Sequence, residues 1–289
     1  MSGFYDLKNR INSTKNTGQV TKALQIVAAS KQKKTQDNLK NSRHIRNGLK
    51  ETIAKIRKDL AKSVTQKDLP DFFIENKESK KVLIVNIMSQ KGLCGGLNSK
   101  LFYRVLNLKK DLEKEGKEID FISVNRVSQK YLRSFNENVI AFFGEIKESP
   151  ELDDVMPLIQ LIKESHKKYN KIYIAYSNFI KTGIYEPKIE QLLPVEIQKE
   201  ESESRQLQSL YLIEPNPMTV LDKIANFYIE LEVYEAILSN IASENTARMI
   251  SMKKATDNIK TLVDSLALKL NKERQAKITQ QVAEISANL

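Results

Sequence analysis

The residues whose types and spacing come nearest to a chemical site form the stretch QKGLCGGLN, Gln90–Asn98. This stretch follows a short apolar run and precedes a helical pattern, and there the backbone amides of a glycine-rich turn can cradle phosphate. The spacing lacks the Lys-Ser/Thr ending of a P-loop, and it also misses the dinucleotide pattern G-x-G-x-x-G. The sequence therefore favours a structural turn built on Gly92, Gly95 and Gly96.

The single cysteine, Cys94, lies in the same turn but has no evident catalytic partner. A catalytic thiol needs a nearby base, and the two histidines, His44 and His166, lie in separate helical segments. One cysteine and two histidines are also too few for an ordinary zinc site. The carboxylates show no paired acid–base pattern. We therefore expect no catalytic residue, metal site or cofactor site on this chain.

The composition of the 289 residues is that of a soluble protein without disulfides. A single cysteine excludes an intramolecular disulfide and fits a reducing compartment. No stretch approaches the 18 or more consecutive apolar residues of a membrane span, and the first residues lack the apolar core of a signal peptide. Any membrane role is therefore expected to act through partners.

The net charge of +11 is concentrated near the N-terminus. Residues 1–69 contain 16 basic and 5 acidic side chains, whereas residues 70–289 contain 31 of each. A localised excess predicts one face with an acidic partner. The basic run Lys31–Lys34 leaves nucleic acid open as that partner, but no aromatic residue for base stacking lies between Tyr5 and Phe72. A solvated helix face or a protein partner is favoured.

The last 72 residues, Met218–Leu289, contain no glycine or proline and carry a heptad pattern. An uninterrupted helix of this length would span about 108 Å. Asn245 and Arg248 interrupt the pattern, and polar residues in a coiled-coil seam fix the register, face another partner or mark the end of pairing. The apolar positions are Val220, Ile224, Phe227, Leu231, Tyr234, Leu238, Ile241, Met252, Ala255, Ile259, Leu262 and Leu266.

A second long helix is predicted from about Asp6 to Asp68, where proline is absent and only Gly18 and Gly48 interrupt. Pro70 marks its end. Two long helices at opposite ends of the chain, each with a narrow apolar stripe, are expected to pair as an antiparallel, left-handed coiled coil. The predicted apolar positions of the first helix are Val20, Leu24, Val27, Ile45, Leu49, Ile53, Ile56, Leu60 and Val64.

The middle of the chain predicts an α/β domain with a mostly parallel sheet, because strand-length apolar runs alternate with helical patterns. The chain then divides into three parts: residues 1–69 as the first shaft helix, 70–217 as the α/β domain with a linker, and 218–289 as the second shaft helix. The predicted strands are residues 81–88, 119–124, 138–143, 171–177 and 188–195, and the predicted helices are 97–116, about 127–135 and 151–169.

Ordered motifs along the whole chain resemble the gamma subunit of the F-type ATP synthase. Asn16–Lys31 is similar to the N-terminal signature of that family, with Leu24 where methionine is usual. Gly92–Asn98 and Tyr211–Pro215 resemble its central loop and the segment before its last helix. The most extensive similarity lies in that helix, at residues 242–249, 252–258, 271–280 and 284–285. No single motif is specific, but their ordered combination is.

The resemblance implies a rotor shaft. Family members place the antiparallel coiled coil inside a ring of three alpha and three beta subunits, with the α/β domain below it, beside the epsilon subunit and the c-ring. The Rossmann-like sheet of that domain resembles a dinucleotide-binding domain but is not the catalytic site, which lies on beta. ATP, ADP and Mg²⁺ would therefore bind to the alpha and beta partners. Rotation of the shaft would couple proton flow to ATP synthesis or hydrolysis.

The resemblance also assigns site residues by position in the matched motifs. Tyr211 and Glu214 would lie at the foot of the shaft, near the c-ring. The polar break in the last helix would mark a surface shared between the first helix and the surrounding ring. Our own hypothesis, beyond the resemblance, is that the N-terminal basic excess faces acidic loops of the catalytic subunits. The residues expected to face the ring are Lys22, Leu24, Asn245, Arg248, Met249, Arg274, Gln275 and Thr279.

Several alternatives stay open. Gln90 stands where the family commonly has aspartate, and Ile213 and Gln281 also depart from frequent choices, which would suit a specialised F1-like motor without the usual membrane part. A coiled-coil adaptor for nucleic acid or the cytoskeleton, and a small α/β enzyme with helical arms, are the two other hypotheses. The chain begins directly with the family motif, without a transit peptide, so we expect a bacterial protein at the cytoplasmic face of the plasma membrane.

Overall fold

Two long terminal helices and a five-stranded sheet flanked by three shorter helices make up the fold. The computed structural model describes residues 2–60, 69–196, 214 and 216–287. In chain order the elements are α1 (Ser2–Leu60), β1 (Lys81–Ile87), α2 (Leu97–Lys114), β2 (Glu118–Val124), α3 (Arg126–Ser134), β3 (Val139–Phe143), α4 (Leu152–Ser165), β4 (Lys171–Lys181), β5 (Ile184–Leu193) and α5 (Pro217–Ala287).

The terminal helices pair as the predicted antiparallel coiled coil. The Thr21 and Thr256 hydroxyls share a hydrogen bond of 2.8 Å, and further along α1 the Arg43 Nε donates to Glu235 Oε1 at 3.0 Å. From Thr21 to Arg43 the residue number rises along α1, whereas that of the partner on α5 falls from 256 to 235, so the two helices are antiparallel. At 59 and 71 residues they extend over about 88 and 106 Å.

The face of α1 that packs against α5 differs from the predicted apolar stripe. Its inward positions recur at strict spacings of three and four, and half of them carry small or polar side chains. Val20, Val27 and Ile45, which were expected to be buried, are each about half exposed, so that part of the prediction was wrong. The inward residues are Phe4, Leu7, Ile11, Thr14, Gly18, Thr21, Gln25, Ala28, Gln32, Thr35, Leu39, Ser42, Arg46, Leu49, Ile53, Ile56 and Leu60.

The two glycines of α1 play different roles, and replacing each with alanine should separate them. A Cβ at Gly18 would lie 2.9 Å from Ile259 Cγ2, whereas a Cβ at Gly48 would meet nothing within 4 Å. Alanine in a helix interior is favoured over glycine by about 0.5–1 kcal/mol. Gly48→Ala should therefore raise the thermal unfolding midpoint, and Gly18→Ala should raise it less or lower it. Equal increases in both variants would contradict the close approach at Gly18.

The sheet has the order β3-β2-β1-β4-β5, with the first four strands parallel and β5 antiparallel to β4. The predicted ends of the last two strands were wrong, because β4 continues to Lys181 and β5 begins at Ile184. The two form a hairpin whose turn holds Gly183 at a φ of +89°. Its outer part is exposed and mixed in polarity, so no continuous apolar run marked it in the sequence.

Two apolar layers cover the sheet. On one face, α2 and α3 contribute Leu101, Val105 and Leu132 to a cluster with β1 and β2. On the other face, α4 packs together with the C-terminal part of α1 and the N-terminal part of α5. This larger core includes Ile53 and Ile237. The base of the coiled coil is therefore part of the core of the α/β domain. Within the described residues, no helix combines the length and apolarity needed to cross a membrane.

Candidate functional site

The candidate site is the joint between α5 and the α/β domain, at the edge of the sheet where the parallel strands end. Residues 235–247 of α5 are buried without interruption, although they cover more than three helical turns. A helix that packs on one side only would expose part of every turn. Here α1 covers one side of α5, and the ends of β1 and β4 cover the other.

Polar side chains of α5 hold this edge of the sheet. The Asn240 Nδ2 donates to the Met88 carbonyl at 3.0 Å, and its Oδ1 accepts from the Ser177 N–H at 3.3 Å. The Ser243 hydroxyl donates to the Ser177 carbonyl at 2.9 Å, and the Ser239 hydroxyl accepts from the Phe179 N–H at 2.8 Å. These bonds complete the backbone pairing at the strand ends, where an unpaired buried group would be costly.

The glycine-rich loop packs on the next turn of α5. Glu244 accepts the N–H groups of Gln90 and Lys91 at 2.9 and 3.2 Å. Arg248 pairs with Glu244 and also donates to the carbonyls of Lys91 and Gly92, both at 3.3 Å. The polar break in the heptad pattern thus lies against this loop. Because Gln90 takes part through its main chain, this bond does not require the family's aspartate at position 90.

Within the loop, the polar groups bond to one another. The Asn98 Oδ1 accepts from the Ser89 N–H at 3.0 Å, and its Nδ2 donates to the Ser89 hydroxyl at 2.7 Å. Gly95 and Leu93 have left-handed φ angles of 59° and 63°, which close the turn. Burial raises the pKa of the Cys94 thiol, so the thiol stays protonated and is a weak nucleophile at neutral pH.

A cluster of opposite charges joins α1 and α5 below this loop. Arg43 and Arg46 of α1 face Glu232 and Glu235 of α5, and the Arg43 guanidinium also donates to the Phe179 carbonyl at 3.0 Å. The Arg46 Nε and Glu235 Oε2 lie 3.0 Å apart but without hydrogen-bond geometry, so that contact is ionic only. This cluster fixes the two helices to each other and to the β4–β5 hairpin.

A second ionic contact, near the glycine-rich loop, predicts a pH effect. Glu148 pairs with Lys31 of α1 and with Lys91, which lowers the pKa of Glu148. A lowered folded-state pKa adds stability above the unfolded-state pKa, and that stability is lost as the pH falls through the folded-state value. All three groups are well exposed, so the contribution is below about 1 kcal/mol. Glu148→Gln should lower the thermal midpoint slightly at neutral pH and not in acid; an equal loss at both would contradict this assignment.

The structure brings together only some of the residues assigned by resemblance. Asn245 is buried, and Arg248 and Met249 are half-buried beside the loop, whereas Lys22 is exposed and Leu24 is half-buried on α1. Glu214 is exposed, and Tyr211 lies outside the described residues. Near the C-terminal end of α5, where Lys277 lies over the Phe4 ring of α1, three predicted residues are exposed, namely Arg274, Gln275 and Thr279. Contact of any of these residues with a surrounding ring or a c-ring stays a prediction.

Sequence reasoning missed the residues that form the joint itself, Ser239, Asn240, Ser243 and Glu244, and the charge cluster below it. One signal was available, since the run SNIASENT at 239–246 places polar residues on every face of a helix. A second signal, for the charge cluster, was the spacing of three residues that Arg43 and Arg46 share with Glu232 and Glu235. Among the described residues, no group of three or more His, Cys, Asp or Glu side chains is placed to hold a metal ion.

Solved structures with a similar fold include rotor parts of ATP synthases. The rotor of the Euglena gracilis mitochondrial ATP synthase has a TM-score of 0.66 and 18% identity, with 95% of this chain and 98% of that chain covered. The central stalk and c-ring structure of the Tetrahymena thermophila mitochondrial ATP synthase gives a TM-score of 0.58 and 23% identity, covering 82% and 99%. At these identities the likeness shows the fold.

Sequence comparisons extend over nearly the whole chain. A family model described as ATP synthase matches residues 4–288. The ATP synthase gamma chain of Legionella pneumophila (strain Corby) is 34% identical over 289 residues, covering 99% of this chain and 98% of the relative. That of Stenotrophomonas maltophilia (strain K279a) is 34% identical over 287 residues, with the same coverage. Because both kinds of match run from end to end, the chain belongs to the ATP synthase gamma chain family.

Proposed function

We propose that this chain is the central rotor shaft of an F1Fo ATP synthase and transmits torque between a proton-driven c-ring and a catalytic ring of alpha and beta subunits. The observation that supports this most directly is the continuity of α5 over 71 residues. After its first residue, Pro217, this helix contains neither proline nor glycine, and such a helix carries twist along its length because every turn is held by its own hydrogen bonds. Its lower third is also built into the core of the α/β domain.

The surface of the shaft supports protein partners of opposite charge. Lys22, Lys33, Lys34 and Lys40 are exposed on α1, which fits acidic loops of surrounding alpha and beta subunits. Near the end of α5, Arg274, Gln275 and Thr279 are exposed and available to the ring. The α/β domain at the other end is the part proposed to meet epsilon and the c-ring, as the rotor and central-stalk structures of similar fold suggest.

The chain acts in this proposal as a non-catalytic subunit. ATP, ADP and Mg²⁺ bind to the alpha and beta partners, and no cofactor binds here; the protonated thiol of Cys94 is consistent with that division. The chain is held at the cytoplasmic face of the bacterial plasma membrane only through the Fo partners. Nucleic acid is not a partner in this proposal, because the exposed basic residues from Lys22 to Lys40 lie in a stretch of α1 whose sequence has no aromatic residue for stacking.

Charge reversal at the two arginines assigned to the ring tests the proposal in the assembled enzyme. Arg274→Glu and Arg248→Glu should impair assembly with alpha and beta, or reduce ATP-driven proton transport relative to ATP hydrolysis. Lys272→Glu, an exposed charge reversal on the same helix, is the matched control and should have little effect. Circular dichroism of the free chain should show that the α/β domain stays folded. Normal coupling in both arginine variants would contradict the site assignment.

Binding to the c-ring separates the synthase from a specialised F1-like motor. The departures at Gln90, Ile213 and Gln281 are the features that suit the specialised motor, and Gln90 contributes a main-chain bond that any residue type except proline can make. A synthase shaft should co-purify with alpha, beta, epsilon and the c-ring from membranes. Recovery with alpha and beta alone, from cells that also contain a c-ring, would favour the specialised motor.

A further inference from the structure

The crevice where an open α/β sheet usually binds its ligand is filled in this protein by its own helix. The connections after β1 lead to β2 on one side, whereas β4 lies on the other side of β1, so the strand order reverses between β1 and β4. Ligands of open α/β sheets bind at such a reversal, outside the carboxyl ends of the strands. Here Asn240 and Ser243 occupy that position through bonds to Met88 and Ser177.

The space left in the crevice is too small for a nucleotide. A cavity of about 20 Å³ remains, lined among others by Gln90, Asn125, Asn240 and Glu244. This volume has room for about one water molecule. Small-molecule sites in proteins usually measure roughly 300–1,000 Å³. The hypothesis of an α/β enzyme with a nucleotide in this crevice therefore loses its main support.

The donors at the mouth of the crevice nevertheless converge on an anion. The N–H groups of Gln90 and Lys91 donate to different oxygens of the Glu244 carboxylate at 2.9 and 3.2 Å, and the Arg248 guanidinium donates to one of them as well. The Glu244 side chain is only 8% exposed. Adjacent backbone N–H groups with a guanidinium are a donor set that proteins use for carboxylate or phosphate groups.

We infer that the Gln90–Lys91 turn together with Arg248 is an anion-binding site whose occupant is the chain's own Glu244 carboxylate, and that this occupancy locks the α/β domain onto the shaft. Charge-assisted hydrogen bonds are directional, so they resist sliding and rotation of α5 against the loop in a way that apolar contacts do not. Asn240, one turn before Glu244, and Ser243, directly before it, hold the same helix to the strand ends. The lock therefore involves two successive turns of α5.

Removing the carboxylate should leave a site that a small anion refills. In the full-length chain, Glu244→Ala should lower the thermal unfolding midpoint, and formate or inorganic phosphate should restore at least half of the loss at constant ionic strength. Glu244→Gln should also lower the midpoint but gain nothing from either anion, because the amide still fills the site. Glu273→Ala, an exposed acidic residue on the same helix, is the matched control and should respond to anions as the wild type does.

Amide hydrogen exchange gives a second measurement that does not depend on the alanine variant folding. In Glu244→Gln, peptides that contain Gln90 and Lys91 should exchange about tenfold faster than in the wild type, as expected when a bond to a charged group is weakened. Unchanged exchange in Glu244→Gln would overturn the inference, as would an anion response of Glu244→Ala no larger than that of Glu273→Ala. Both measurements use the chain without partners, so their outcome is independent of the proposed rotor function.

Discussion

Replacing Glu235 with alanine is expected to destabilise the base of the shaft by about 2–4 kcal/mol. Its carboxylate is 4% exposed and lies between Arg43 and Arg46, with a nitrogen of each at 3.0 Å. Removing it leaves two arginines facing a buried space with fewer negative partners, and an unpaired buried charge costs more than the pair contributes. The expected loss of stability is smaller than that for breaking a fully buried ion pair, because the Arg43 side chain is 33% exposed to solvent.

The neutral variant Glu235→Gln should lose less than Glu235→Ala and should also change the pH dependence. Burial raises the pKa of Glu235, and the charges of Arg46 and Arg43 offset only part of that increase. A raised folded-state pKa adds stability below the unfolded-state pKa, and that stability is lost as the pH rises through the folded-state value. The stability of the wild type relative to Glu235→Gln should therefore fall as the pH rises from the unfolded-state pKa of Glu235 through its raised folded-state pKa.

Denaturant unfolding of the full-length chain measures both effects. Glu186→Ala, which removes an exposed glutamate from β5, is the matched control and should stay within about 0.5 kcal/mol of the wild type. A double-mutant cycle between Arg43→Ala and Glu235→Ala should show a coupling energy of roughly 0.5–3 kcal/mol, because the two side chains share one bond. A Glu235→Ala variant as stable as the control would show that the cluster does not hold the helices together.

The elements of this fold could be predicted because local patterns determine them. Residues 218–289 lack any helix breaker, and the apolar runs of β1 to β4 are separated by helical patterns, so the long helix and the parallel sheet follow from the sequence alone. The hairpin ends did not follow, because in β4 beyond Ser177 only Phe179 is buried, against Leu39 and Leu238, while residues 180–184 around the turn are exposed. The extended conformation of these exposed residues depends on the pairing of β4 with β5, which a local apolar pattern does not show.

The faces of the helices were harder to predict, because burial there depends on the partner. On α1, Gly18 faces inward because the absence of a side chain lets Ile259 approach, and the small Ala28 is buried as well, while the more apolar Val20 and Val27 face solvent. On α5, polar residues are usually assigned to solvent, yet Glu244 is buried because the loop supplies its donors from 154 and 153 residues away. Only the assembled fold brings such groups together.

The interruption of the heptad pattern shows how a resemblance and a structure answer different questions. The resemblance places Asn245, Arg248 and Met249 on a surface shared with a surrounding ring. The structure shows that the Arg248 guanidinium is engaged with the loop and with Glu244, and that Asn245 Nδ2 donates to the Ile241 carbonyl at 3.0 Å. Contacts inside the chain are sufficient to account for the polar residues, and a ring contact would add to them.

Replacing Lys260 with proline should break the stiff connection between the C-terminal end of α5 and the N-terminal part of α5 that packs in the core of the α/β domain. Lys260 is exposed on the part of α5 that pairs with α1, directly after Ile259, which approaches Gly18; its side chain therefore contributes little to packing. Proline there removes the hydrogen bond to the carbonyl of residue 256 and clashes with that turn, which costs about 3 kcal/mol and kinks the helix. In the assembled enzyme, Lys260→Pro should reduce ATP-driven proton transport more than ATP hydrolysis, because twist is no longer carried past the kink.

Lys260→Ala is the matched control, since it removes the same side chain and keeps a strong helix former in place. It should behave as the wild type in stability, hydrolysis and transport, whereas Lys260→Pro should also lower the thermal midpoint of the free chain. The ratio of protons moved to ATP hydrolysed is the measurement that decides the matter. If Lys260→Pro keeps that ratio while the helix is measurably broken, stiffness of α5 is not what transmits torque, and the contacts of the α/β domain with its partners must do so.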